Sequence, residues 1–108
     1  MNDTIEKINH QLTCSGYTII HNYTKDENFI TCNKNNISAY IMLLSNDVDY
    51  DIDCLPVYVN IDFIDLIVNK TEFSVKYNIT FSELIKKLNE SSFVYDFLRG
   101  TLWTHLNL

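Results

Sequence analysis

The sequence predicts a single α+β domain, in which one N-terminal helix and two C-terminal helices pack on an antiparallel sheet of about four to six strands. Helical periodicity occurs near the N-terminus, two-residue alternation between polar turns fills the middle, and helical periodicity returns after residue 80. Because the chain has 108 residues, it has room for one hydrophobic core, so residues 1–108 are expected to form one domain.

The first helix is expected over residues 4–13. Ile5, Ile8 and Leu12 recur at steps of three and four, which places them on one face of a helix. Gly16 follows at the position where a helix commonly ends in a left-handed residue. The first element is therefore an amphipathic helix with one apolar face.

Three segments rich in β-branched and aromatic residues predict an antiparallel meander: Tyr17–Tyr23, Phe29–Cys32 and Ile37–Leu44. Polar turns at 24–28 and 33–36 separate them. The run 38–44 is also compatible with a short helix, but we favour the strand because it continues the meander.

Two further strands are expected over 56–62 and 73–79. Apolar and polar residues alternate in both segments, and Pro56 suits an edge strand or the start of a strand. Helical and strand periodicities conflict over 61–69, so the sequence leaves the structure of that segment open.

The C-terminal part is expected to be helical. Thr80 and Glu83 have the spacing of a capping box, in which each side chain satisfies an amide of the other, and a helix to about Asn89 follows. A second, short helix is expected to end at Arg99. The apolar tail around Trp103 is a candidate surface for self-association.

The charge is distributed unevenly. The net charge is −6, and residues 35–69 contain no Lys, Arg or His. Outside this segment, eight acidic residues balance eight basic ones. The whole excess comes from six aspartates, namely Asp47, Asp49, Asp51, Asp53, Asp62 and Asp65.

Acidic and apolar residues alternate over 47–54, so four carboxylates would share one face if this segment were extended. Three interpretations remain open. The row is a solvated edge that discourages aggregation, a cation-binding loop, or a surface for a basic partner. An EF-hand loop fits poorly, because Ile52 replaces the turn glycine and Tyr58 replaces the bidentate glutamate.

No motif indicates an enzyme, a cofactor or a metal. With two glycines in the chain, no glycine-rich phosphate loop is possible. The histidines lack catalytic or metal-binding spacing, and the cysteines lack the spacing of a zinc site. These residues are His10, His21, His105, Cys14, Cys32 and Cys54.

Direct nucleic-acid binding is not expected, since the isoelectric point is near 4.8 and Lys86-Lys87 is the only adjacent basic pair. The sequence shows neither a signal peptide nor a membrane span, so a cytoplasmic location is expected.

These features predict a small acidic bacterial inhibitor that occludes a basic protein, such as an immunity protein that neutralises a nuclease toxin. The alternatives are a phage-encoded inhibitor of a host nuclease (an anti-CRISPR protein or DNA mimic) and a non-catalytic oligomeric subunit. Tyr50 and Tyr58 would add aromatic contact area to the acids. The expected partner-binding residues are Asp47, Asp49, Tyr50, Asp51, Asp53, Tyr58, Asp62 and Asp65.

Overall fold

A computed structural model describes residues 2–24, 26–45, 51–65 and 67–90. A five-stranded antiparallel sheet and two helices form this part of the chain. In chain order the elements are α1 (Asn2–Cys14), β1 (Thr18–His21), β2 (Phe29–Lys34), β3 (Ile37–Leu43), a 3₁₀ turn (Ile52–Cys54), β4 (Pro56–Asp65), β5 (Lys70–Thr80) and α2, described over 81–90.

The strand order in the sheet is the order in the sequence, β1-β2-β3-β4-β5, and every neighbouring pair is antiparallel. The predicted meander is therefore confirmed, and it continues through all five strands. In β1 the register shifts between Ile19 and His21, so Ile20 bulges out and its side chain is 63% exposed. Such a bulge is a common feature of edge strands.

One face of the sheet, here called the covered face, carries the hydrophobic core. Its central residues are buried on β2, β3 and β4, and both helices add buried side chains to the same cluster. The helical contributions are Ile5, Ile8 and Leu12 from α1 and Phe81, Leu84 and Leu88 from α2. Strand alternation and helical periodicity thus meet in one layer between helices and sheet.

Residues with a left-handed backbone make two of the tight connections in the fold. Gly16 has a φ of 89° after the last turn of α1, as the sequence predicts for a helix end. Asn35 has a φ of 53° in the turn between β2 and β3, a conformation that asparagine tolerates better than most residues.

The capping box is confirmed. The Glu83 amide donates to the Thr80 hydroxyl at 3.3 Å, and Glu83 Oε1 accepts from the Thr80 amide at 3.4 Å. These bonds satisfy backbone donors that the first turn of α2 would otherwise leave without partners.

Three expectations need comment. The segment after residue 61 is strand, since β4 continues to Asp65. Pro56 is the first residue of β4, which lies between two other strands and not at an edge of the sheet. The second C-terminal helix and the Trp103 tail fall outside the described residues. Among the described helices, none combines the length and apolar character needed to cross a membrane.

Candidate partner-binding surface

The antiparallel order places two loops and a helix start at the same end of the sheet. These segments are the β1–β2 loop, the β3–β4 loop and the first turn of α2. The Leu43 amide donates to Asn28 O at 3.0 Å, and the Phe81 amide donates to Leu55 O at 2.9 Å. Backbone hydrogen bonds therefore hold this end together.

The first turn of α1 lies at this end as well. The chain reverses at the Gly16 turn, so α1 lies alongside β1 and its first turn is near the β1–β2 loop; Asn9 Nδ2 donates to Asn22 Oδ1 at 3.0 Å. α1 also contacts the 3₁₀ turn that precedes β4. Four separate parts of the chain thus form one surface.

Six exposed acidic side chains lie on this surface, which we call the acidic end: Asp3, Asp26, Glu27, Asp51, Asp53 and Glu83. Within the described residues of these segments there is no Lys or Arg. The sequence adds Asp47, Asp49 and Lys25 to the two loops, outside the described residues. Exposed charges of one sign on one end of a protein add to a negative potential there.

The described half of the alternating acidic segment is not extended, which corrects the expectation of a straight carboxylate row. Asp51 caps a 3₁₀ turn, and its Oδ1 accepts from the Asp53 amide at 3.2 Å. Aspartate commonly competes in this way with regular backbone pairing. Ile52 packs partly on the core whereas Cys54 is exposed, so these two residues do not share an apolar face.

One acid of this end already has a side-chain partner. Glu27 Oε2 lies 2.6 Å from His21 Nε2 at the end of β1. The Glu27 amide also donates to the Thr24 hydroxyl at 3.0 Å, which closes the loop on itself.

The face of the sheet opposite the helices, here called the open face, carries partly buried aromatic and polar side chains. Phe29 stacks on His21 with ring centroids 4.5 Å apart and on Tyr40 at 5.0 Å. Met42 lies between Phe29 and Tyr58 in the strand register. Tyr58 thus joins an apolar row close to the start of β4, at the acidic end.

Asp62 and Asp65 lie away from the acidic end. Asp62 is six residues beyond Pro56 on β4, about 20 Å along the strand. It accepts hydrogen bonds from Ser74 and from Asn60, the latter at 3.1 Å. Asp65 lies opposite Lys70 in the register and accepts from the Ile67 amide at 2.9 Å. Both aspartates therefore serve local structure in the β4–β5 hairpin.

The structure thus brings together part of the predicted site. Asp51, Asp53 and Tyr58 lie at or beside the acidic end, whereas Asp62 and Asp65 do not. Asp47, Asp49 and Tyr50 lie outside the described residues. Sequence reasoning missed Asp3, Asp26, Glu27 and Glu83, although the predicted meander itself puts alternate loops at one end of a sheet.

Two groups in the core have strongly shifted pKa values. Burial raises the pKa of the Cys32 thiol from 9.0 to about 12. Burial, and then the neighbouring Cys32, raise the pKa of Tyr17 from 10.0 to about 12. The Tyr17 hydroxyl donates to Leu88 O at 3.4 Å, which ties α2 to the α1–β1 turn. Both groups stay neutral at physiological pH, so Cys32 is an unreactive thiol.

Comparison with protein-family models, with curated proteins and with solved structures finds no match to this chain.

Proposed function

We propose that this protein is a small acidic inhibitor that binds a basic protein through its acidic end. The partner class that fits best is a bacterial nuclease toxin, for which this chain would be the cytoplasmic immunity protein. A nuclease must present cationic groups to the phosphates of its substrate, so a dense carboxylate surface can occupy the same groove.

The observation that carries the proposal is the convergence of exposed carboxylates from separate segments. α1, both loops and the start of α2 each contribute at least one acid to the acidic end. Like charges that share one end of a small domain repel one another, whereas a cationic partner would offset that repulsion. This support is independent of the local alternation over 47–54, because most of the six acids lie elsewhere in the sequence.

The open face supports the same proposal. Electrostatic attraction accelerates encounter, but affinity usually depends on a few aromatic or apolar residues that are buried on binding. Tyr58, Met42 and Phe29 form such a row on neighbouring strands, next to the acidic end. We therefore place the acids at the rim of the interface and Tyr58 nearer its centre.

The test is a comparison of two charge variants with the same net charge. Asp51→Asn with Asp53→Asn removes two charges from the acidic end, whereas Glu72→Gln with Glu90→Gln removes two charges elsewhere. The probe is the purified product of a toxin-like gene adjacent to the gene for this chain. We expect the first variant to slow association about tenfold at low salt and the second to change it much less.

The salt dependence supplies a second readout. Association of the unaltered protein should slow steeply between low and physiological ionic strength, and the acidic-end variant should show a smaller slope. Equal effects of the two variants would show that net charge alone matters and would contradict an interface at this end. A probe that binds with no dependence on salt would also overturn the proposal.

A further inference from the structure

The tip of the β4–β5 hairpin is apolar and exposed. Ile67 is 87% exposed and Val68 is 64% exposed, and Leu66 precedes them in the sequence. Hairpin turns usually consist of Gly, Asn, Asp, Pro or Ser, because these residues suit a tight turn. The other exposed large apolar residues of the described part of the chain, Ile20 and Leu44, are not adjacent, and single residues of this kind are common on protein surfaces. The tip is therefore an apolar patch that the described residues leave uncovered.

The tip extends beyond the rest of the sheet, at the end opposite the acidic end. The Ile64 amide donates to Asn36 O at 2.8 Å, so residue 64 is level with the turn between β2 and β3. β3 begins at Ile37, which pairs with Phe63 of β4. The hairpin then continues to Asn69, whose φ of 52° helps to turn the chain into β5. Beyond Phe63, the described chain therefore provides no third strand beside the tip.

The described part of α2 finishes at this same end of the sheet. Lys34 Nζ donates to Ser15 O at 3.2 Å, which places the α1–β1 turn beside the turn between β2 and β3. The Tyr17 hydroxyl, just after the α1–β1 turn, donates to Leu88 O at 3.4 Å. The C-terminal segment, residues 91–108, therefore starts at the end of the sheet that carries the tip. Nine helical residues extend about 13 Å, as far as about four strand residues, so the segment is long enough to reach the tip.

The C-terminal segment has the apolar side chains to cover the tip. The sequence predicts a short helix that ends at Arg99, and its apolar residues recur at helical spacing. They are Phe93, Val94, Phe97 and Leu98. Beyond this helix the sequence adds Trp103 and three leucines. Such an amphipathic segment gains free energy when its apolar side chains leave water.

We propose that the C-terminal segment docks on the hairpin tip of its own chain and buries Ile67 and Val68. A second copy would offer the same tip, but a tethered segment has an effective concentration of about a millimolar. In dilute solution this exceeds the concentration of any second copy, so the contact within one chain is favoured. The tip and the acidic end lie at opposite ends of the sheet. The contact therefore leaves the surface of the proposed function free, and the two proposals succeed or fail independently.

The fluorescence of Trp103, the only tryptophan in the sequence, tests the contact in the full chain. We expect its emission maximum at a shorter wavelength than in concentrated urea, because docking removes the indole from water. Ile67→Asp with Val68→Asp should move the maximum most of the way to the urea value. The matched control, Ile20→Asp with Leu44→Asp, adds the same charge at exposed apolar positions elsewhere and should leave the maximum unchanged.

Dilution shows which chain supplies the tip. The emission maximum of the unaltered protein should stay constant as the protein is diluted, while sedimentation shows a monomer. A maximum that moves to the urea value on dilution would place the segment on a second copy and overturn the proposal.

Three other outcomes would also contradict it. They are a maximum at the urea value in the unaltered protein, no shift in the tip variant, and equal shifts in the tip variant and the control. Because the altered side chains are exposed, all variants should keep the far-ultraviolet circular dichroism of the unaltered protein. If the aspartate pair at the tip lost it, Ile67→Ser with Val68→Ser would make the same test without added charge.

Discussion

The two faces of the sheet use the same strand alternation for different purposes. On the covered face, Ile30, Ile41 and Val59 are fully buried beneath the helices. On the open face, Phe29 and Tyr40 stack on each other and keep part of their surface in solvent. Along one strand, successive side chains therefore point alternately to the core and to the open face.

If the proposed function is correct, the covered face stabilises the fold and the open face, with the acidic end, contacts the partner. The covered face gains free energy from burial of apolar surface, at about 25 cal/mol per Å². The open face keeps aromatic area that is not fully buried, next to an end of the molecule rich in carboxylates. A substitution that weakens binding without unfolding the protein should therefore come from the open face or from the acidic end.

The largest expected effect comes from deleting a core side chain. Ile41→Ala removes a fully buried group from the central strand and should lower the free energy of unfolding by about 2–5 kcal/mol. Met42→Ala, on the next residue but on the open face, should cost less than about 1 kcal/mol. Urea denaturation of both variants measures the difference. Similar costs would mean that the two faces are packed alike.

An intermediate effect is expected from alkaline pH. The unfolded chain releases the Cys32 proton near pH 9, whereas the folded protein holds it to about pH 12, because burial raises the pKa of the thiol. Between these values the folded state binds more protons, so the free energy of unfolding falls as pH rises, by up to ~1.4 kcal/mol per pH unit. The stabilisation is fully present below about pH 9.

The control for this prediction compares removal of the buried Cys32 thiol with removal of the exposed Cys54 thiol. Cys32→Ala should abolish the decline in unfolding free energy between about pH 9 and pH 10 and reduce it above pH 10, where Tyr17, whose pKa is also raised to about 12, still contributes. Below about pH 9 the variant should be less stable than the unaltered protein because of the cavity. Cys54→Ala should leave the slope as it is, because Cys54 is exposed. If Cys32→Ala retained the full slope, the thiol would not be the group that titrates.

The smallest of these effects concerns the start of the helix over the covered face. Thr80→Ala removes the hydroxyl that accepts from the Glu83 amide, and the loss of such a cap costs about 1 kcal/mol. Thr80→Ser keeps the hydroxyl and serves as the control. The midpoint temperature of thermal unfolding should be lower for the alanine variant than for the serine variant. Equal midpoints would show that the capping box does not stabilise α2.

Much of the fold follows from sequence patterns that act over a few residues. Ile5, Ile8 and Leu12 define the buried face of α1, and the Thr80–Glu83 spacing defines the start of α2. The segment 61–69 could not be assigned from the sequence, because the helical spacing of Asp62, Asp65 and Asn69 conflicts there with strand alternation. In the structure, residues 61–65 are strand because they pair with β5, as Asp62 does with Ser74.

The candidate site was harder to predict because it depends on which loops share an end. The alternation over 47–54 suggested a local carboxylate row, but the Asp51 cap turns the chain before β4. Asp26 and Glu83 are far from Asp53 in sequence and reach the same end only through the meander. Charge counts along the chain identify the excess, whereas topology determines where it is concentrated.

The order of the strands also bears on how the protein acquires its structure during synthesis. Each strand pairs with the one made just before it, so successive hairpins can form while the remainder of the chain is still on the ribosome. The hydrogen bond from Tyr17 to Leu88 spans 71 residues and must wait until α2 has emerged. Closure of the layer between helices and sheet is therefore a late event, and until then the apolar side of the growing meander is open to chaperones.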